Sequence, residues 1–283
     1  VQSRGPSLTA RSAANHRAVH QELEGGRLFS DPLAVRILGV DAEELVRDAA
    51  ARPERRLMRL FIAARTRFAE DALAAAVARG VRQLVLLGAG LDTFGCRNPY
   101  QAEGLVVFEV DHPATQAWKR VRLAEAGIVP PASLVFAPVD FERDSLAEGL
   151  AAAGFDADRP AFCNWLGVVP YLTREAVFGT LGFLAGLPGG AEVVFDYSDP
   201  PSALAPAQRA AHQARADRVA EVGEPWLSYF TAEELAADLA GLGLRVVEDL
   251  GPAELATRFF GAAVSPSRPG GHLIHVGSKS GQE

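Results

Sequence analysis

The stretch 84-LVLLGAGLDTFGCRN-98 decides the fold. Four large apolar residues run without polar alternation into Gly88-Ala89-Gly90. Strands buried on both faces have this pattern, and they belong to parallel sheets covered by helices. Glycines at a strand's end let backbone come close to a ligand, because no Cβ stands in the way. A nicotinamide or flavin dinucleotide favours G-x-G-x-x-G, which sets a pyrophosphate on the following helix. Position 93 is Thr instead of the third glycine. The turn therefore need not accept a pyrophosphate, and a tight strand-to-helix turn without a ligand is the plain alternative.

Outward from this turn, apolar runs at 82–88, 105–110, 133–139, 161–169 and 191–197 predict strands, as do LRVVEDL (244–250) and HLIHVGS (272–278). Helical spacing predicts helices near 114–126, 144–153, 173–187 and 203–221. Thr231 with Glu234 opens another at a capping box. Residues 8–80 read as mostly helical, with 56–80 closing on Gly80. Strands joined by helical crossovers imply an α/β, doubly wound, seven-stranded and mostly parallel sheet with helices on both faces. Residues 1–80 are expected to form a helical N-terminal lid. Residues 81–283 are expected to form a Rossmann-like core with insertions near 203–230 and 252–270.

At 283 residues and 48% hydrophobic, the chain can bury a core of that size. Its net charge of −7 leaves no basic face for a nucleic-acid backbone. Cys96 and Cys163 form no CxxC or CxxH pattern, so neither a zinc site nor a disulfide framework is indicated. No apolar run approaches the about 18 residues of a membrane helix. The polar start VQSRGPSLTARSAAN lacks an apolar signal core. A cytoplasmic protein with reduced thiols, without metal, nucleic acid or membrane partner, is the expectation.

The next two strand ends narrow the ligand. 105-LVVFEVDHP-113 ends at Asp111, 21 positions after Gly90. An acid there can accept hydrogen bonds from both ribose hydroxyls of an adenosine; a cap or turn Asp before Pro113 is the alternative. In 137-APVDFE-142, Asp140 falls where an adenine amino group would arrive, with Phe141 flanking the ring. Glycine turn, ribose acid and adenine acid on three successive strands describe an adenosine ligand without a phosphate cradle. S-adenosylmethionine fits.

At these residues the chain resembles the leucine carboxyl methyltransferase-like, or TcmP-like, class I methyltransferases. The likeness rests on 29-FSDPLA-34, 61-FIAARTRFAED-71, 86-LLGAGLDT-93, 108-FEVDHP-113, 139-VDFE-142 and 165-WLGVVPYLT-173. The resemblance implies that Arg65 pairs with the methionyl carboxylate, bidentately as a guanidinium can. It implies that Gly88, Ala89 and Gly90 form the cofactor turn, Asp111 with His112 the ribose side, and Asp140 with Phe141 the adenine side. It also implies that Tyr171 lies near the transferable methyl. The carboxyl methyltransferase branch carries a Glu on the fourth strand, where 161-AFCNWLGVV-169 offers Asn164 or Trp165. An amide at 164 can still meet the cofactor's amino group.

Methyl transfer from a sulfonium asks the protein to align and exclude water. A carboxylate acceptor needs no base at neutral pH and a phenol does. The expectation is therefore O-methylation of a small-molecule, natural-product acceptor, with carboxylate favoured over phenol. Methylation of a protein carboxyl terminus and a nicotinamide-dependent oxidoreductase are the alternatives. His16 and His20, one helical turn apart, read as surface histidines before they read as lining a lid. Arg17 would suit an acidic substrate. Asp196 and Asp199 in 195-FDYSDPP-201 read as a turn rather than a magnesium site. Trp226, Tyr229 and the pair Phe259-Phe260 are expected to wall the acceptor pocket.

Overall fold

The computed structural model describes residues 8–141, 143–221, 223–261 and 270–278. Its strands are β1 Gln83–Leu87, β2 Val106–Asp111, β3 Leu134–Pro138, β4 Ala161–Trp165, β5 Ala191–Ser198, β6 Leu244–Leu250 and β7 Gly271–Ser278. They form one seven-stranded sheet in the order β3-β2-β1-β4-β5-β7-β6. β1, β2 and β3 are parallel, as are β4 and β5, while β7 runs antiparallel to β5 and β6. This is the doubly wound, mostly parallel sheet expected. The chain divides into two compact units, Ser3–Phe155 and Asp156–Glu283 with Val1–Gln2.

In the first unit, α1 Leu8–Leu23, α2 Ala34–Leu38, α3 Ala42–Ala50 and α4 Arg56–Ala78 precede β1. α1 packs on α2, α3 and α4. Ala14, Ala18, Val19, Ile37 and Leu45 pack with Leu91, Leu123 and Ile128 into one apolar cluster. α4 ends as expected, with Gly80 at a positive φ of 100° just past its cap. Every residue of β1 is buried, which explains its unbroken apolar run. Between the strands lie α5 Phe94–Arg97, α6 Pro113–Glu125 and α7 Leu146–Ala152.

In the second unit, α8 Arg174–Ala185, α9 Pro206–Glu221, α10 Ala232–Gly241 and α11 Pro252–Phe260 connect β4 to β7. Thr231 caps α10 by accepting from the Glu234 N–H at 3.3 Å. The fourth strand is shorter than its apolar run. It stops at Trp165 because Gly167 turns at φ 71°, and Val169–Tyr171 then makes a 3₁₀ turn. The Gly167 N–H donates to Asp196 Oδ1, so the first acid of the DxxD pair holds this turn. Part of the 252–270 stretch, 262–269, lies outside the described residues. Its Phe259-Phe260 pair sits on α11, which packs on the outermost strand β6, and Phe260 is 40% exposed. Among the described residues, no helix is long and apolar enough to cross a membrane.

Candidate functional site

Ends of β1, β2 and β3 converge in the first unit. Gly88 and Gly90 take φ of 68° and 50°, conformations that ordinary side chains rarely adopt. The Gly88 and Ala89 N–H groups donate to the Val110 carbonyl at 2.8 and 3.1 Å, which locks the turn onto β2. The Gly90 N–H reaches Asp111 Oδ2 at 2.6 Å, and the His112 N–H reaches Asp111 Oδ1 at 2.7 Å. Burial pushes the Asp111 carboxyl up, against the pull of these two donors and of Lys119. Asp111 is not the helix cap. His112 is, its Nδ1 accepting from Ala114 N–H at 3.1 Å, with Pro113 in the first helical turn. Since Nδ1 accepts, the proton of a neutral His112 lies on Nε2, which stands 3.8 Å from Asp140 Oδ2. Asp140 opens a tight turn with Asp144, and Phe141 beside it is 38% exposed.

The second glycine answers to its own helix. A Cβ on Gly90 would stand 2.9 Å from the Cβ of Ala10 in α1. The absence of a side chain at Gly90 thus admits a close approach by α1.

Thr93 takes the place of the third glycine and anchors a buried network. Its hydroxyl donates to Asp31 Oδ1 at 2.7 Å and accepts from Arg97 Nε at 3.1 Å. Arg97 pairs with Glu70 on α4 and lies over the Phe29 ring. Arg17 donates to the Leu91 carbonyl at 2.6 Å and stands 3.6 Å from Asp31 and 3.8 Å from Asp92. Burial works against the Asp92 charge, yet Arg17, Arg97 and Lys119 hold its carboxyl below the usual range. Asp31, Glu70, Asp92, Thr93 and Arg97 brace the turn from behind, and local spacing pairs only Thr93 with Arg97, four residues on. Asp31, Glu70, Asp92 and Thr93 fall in the FSDPLA, FIAARTRFAED and LGAGLDT stretches, and Arg97 lies just past the last of these.

Three expectations about α1 are overturned. His16 and His20 are 8% and 1% exposed, not surface residues, because α2, α3 and α4 enclose their face. Arg17 is committed to the turn and to two acids, which leaves it unavailable to an acidic substrate. His16 is pushed down to about 4 by burial and by Arg55, Arg59 and Arg65. This places it within the field of half-buried Arg65 on α4.

In the second unit, Asn164 and Trp165 are both buried on β4, and Asn164 Oδ1 has no hydrogen-bond partner among the described residues. A buried amide oxygen left so is costly unless a ligand donor satisfies it. Trp165 packs on Phe195 at 6.2 Å. Tyr171 is half-buried at the end of the 3₁₀ turn after β4. Asp199 accepts from the Gly270 N–H at 2.9 Å and faces His272. Among the described residues, no cluster of His, Cys, Asp or Glu could hold a metal ion.

Known proteins share both the pattern and the fold. A candidate S-adenosyl-L-methionine-dependent methyltransferase of Bacillus subtilis (strain 168), YktD, is 38% identical over 200 residues, 70% of this chain and 65% of its own length. A similarly named protein of Streptomyces coelicolor, SCO7813, is 38% identical over 182 residues, 62% of this chain and 63% of its own. The chain spans less than two thirds of either relative. Two crystal structures share the fold. A candidate methyltransferase from Thermobifida fusca YX has a TM-score of 0.54 at 19% identity, covering 98% of this chain and 96% of its own. A DUF574 family protein from Streptomyces avermitilis has 0.56 at 15%, covering 93% and 96%. The family model described as leucine carboxyl methyltransferase matches residues 10–185, from within α1 to the last residue of α8. With more than half its length matched in this way, the chain belongs to the leucine carboxyl methyltransferase family.

Proposed function

We propose that the chain transfers a methyl group from S-adenosyl-L-methionine to an oxygen of a small-molecule acceptor. The convergence of three successive strand ends around the Asp111 carboxylate carries this reading. Each Asp111 oxygen is engaged by one backbone N–H and keeps a second lone pair for a ribose hydroxyl. Asp140 and Phe141 serve the adenine, Arg65 the methionyl carboxylate, and the unsatisfied Asn164 oxygen the ammonium group. Gly88, Ala89, Gly90 and His112 shape the turn around them. Residues 1–80 act as the helical cover, with Ala10 laid against Gly90.

The bound group supplies a methyl on a positively charged sulfur, whose leaving thioether is neutral. What the chain adds is alignment and exclusion of water, with Tyr171 at the acceptor side. A carboxylate needs no base, the ground on which the sequence favours it; a hydroxyl does. The choice rests on whether residues 156–283 supply a base. Calorimetry with S-adenosylmethionine and S-adenosylhomocysteine tests the reading: saturable binding of both is expected, with none for a nicotinamide dinucleotide. Dinucleotide binding alone would overturn it in favour of the oxidoreductase.

A further inference from the structure

Residues 226–230 are pinned by their backbone and one hydroxyl to the carboxyl ends of β4 and β5. The Leu227 N–H donates to the Pro170 carbonyl at 2.6 Å, Ser228 Oγ to the Val169 carbonyl at 2.8 Å, and the Phe230 N–H to the Ser198 carbonyl at 3.1 Å. Trp226 and Tyr229 therefore stand by the Tyr171 turn, at the edge where sheets of this kind bind ligands. His212, on α9, reaches the same segment. Its Nε2 lies 3.0 Å from the Tyr229 hydroxyl, and its ring lies 5.1 Å from Trp226 and 5.5 Å from Tyr229.

The other five histidines are committed elsewhere. His16 and His20 are enclosed in the α1–α4 layer. His112 caps α6. His275 is held by Glu192 at 2.8 Å, near the start of β5 and away from its carboxyl end. His272 has a carboxylate at each nitrogen, Asp249 at 3.3 Å and Asp199 at 3.2 Å, so it has no site left for a substrate proton. His212 differs. Only Nε2 is engaged, and among the described residues Nδ1 makes no hydrogen bond. Burial lowers its pKa, and the charge of Arg215 on the same helix adds to this, so the ring is neutral at pH 7 and able to take a proton.

Resting on the methyltransferase reading, we propose that the acceptor is an aryl hydroxyl whose proton passes to His212, with Tyr229 fixing the imidazole. This gives the second unit the base that a hydroxyl acceptor requires and a carboxylate does not, so the hydroxyl displaces the carboxylate as the preferred acceptor. The acceptor oxygen forms its bond to the methyl carbon as the carbon–sulfur bond breaks and its electron pair stays on sulfur. The hydroxyl proton moves to His212 and from there to solvent, so the products are a methyl ether, a neutral thioether and one proton. An aryl group matches the rings at this edge, where offset and edge-on contacts between aromatic faces are favourable.

The probe 1-hydroxy-2-naphthoate carries a phenol and a carboxylate on one ring system. With isotopically labelled S-adenosylmethionine, the protein should give the methyl ether, identified by mass spectrometry. His212→Asn should slow ether formation about 10²- to 10⁴-fold and leave calorimetric affinity for S-adenosylmethionine within about twofold. Ether formation by the wild type should fall as the pH drops and His212 takes up a proton, and His212→Asn should flatten that limb of the profile. The methyl ester as sole product, no product with cofactor bound, or a variant that keeps the wild-type rate and pH profile of ether formation would each overturn the assignment. Loss of cofactor binding in the wild type would instead remove the methyltransferase reading beneath it.

Discussion

Gly90 and Asp111 are joined by a 2.6 Å hydrogen bond from the backbone N–H of the first to Oδ2 of the second. The other oxygen takes the His112 N–H, so one carboxylate ties the turn after β1 to the end of β2. Asp111→Ala strips both donors of their partner. It should cost about 2 kcal/mol of stability and, in calorimetry, more than tenfold in affinity for S-adenosylmethionine. Asp111→Asn keeps the shape but turns an NH₂ toward one of the two donors, so it should fail to restore affinity. An alanine variant that binds normally would take Asp111 out of the site.

Gly90→Ala meets two separate obstacles. The positive φ costs about 1–2 kcal/mol for a residue with a Cβ, and the new methyl meets Ala10 at 2.9 Å. Pairing it with Ala10→Gly relieves the collision but not the backbone term. The double variant should therefore recover part of the lost urea midpoint, after allowing about 0.5–1 kcal/mol for glycine inside a helix. Strictly additive effects in this cycle would show that α1 does not lie on the turn.

Much of the fold was legible because its signals are local. An apolar run predicts a buried strand, and β1, β2, β3 and β5 all follow; the glycine after β1 also predicts its turn. The run 161–169 misled because Leu166, Val168 and Val169 are apolar without being strand. Gly167 alone marked the stop, through a positive φ that sequence pattern does not display. Strand-end acids were readable by their order along the chain. The bracing network was not, because Asp31 and Thr93 are 62 positions apart and meet only after α1 to α4 have packed. The same packing turned His16 and His20 inward, although an HxxxH pair reads as a wet helix face. His212 escaped notice because its meaning lies in a contact with Tyr229 across the 206–230 segment.

Thr93→Gly tests what the third position of the motif does. It completes the dinucleotide pattern in sequence but removes the hydroxyl that holds Asp31 and Arg97. Glycine should therefore cost stability, about 1–3 kcal/mol for a buried polar group left unpaired, and should bring no thermal shift with a nicotinamide dinucleotide. Thr93→Ser, which keeps the hydroxyl, should lose less than half as much. A dinucleotide-induced shift in the glycine variant would mean that the bracing network is all that excludes that ligand.

His16 makes the fold sensitive to acid. Its pKa is pushed from 6.5 to about 4, so between those values the unfolded chain takes up a proton that the folded one refuses. The contribution is complete above pH 6.5 and is lost as pH falls toward 4, to a total of about 3 kcal/mol at 1.36 kcal/mol per unit. Urea midpoints measured at pH 7, 6, 5 and 4 should fall more steeply in the wild type than in His16→Gln. Parallel slopes would place the acid sensitivity elsewhere.

His272 works in the opposite window. Burial opposes its charge, but hydrogen bonding to Asp249 and the charges of Asp249 and Asp199 raise its pKa above 6.5. Asp249 is on β6, Asp199 follows β5, and Tyr197 of β5 stacks on the ring at 4.6 Å while donating to Asp249 at 2.6 Å. The imidazolium thus clamps three strands through two carboxylates. Because the folded pKa is raised, this stabilisation is complete below pH 6.5 and drains away as pH rises through the folded value. His272→Gln should therefore destabilise most at pH 6, by about 1–3 kcal/mol for hydrogen bonds to charged groups, and least at pH 9. Should the loss instead grow with rising pH, the ring would be packing as a neutral aromatic, and the clamp would not exist.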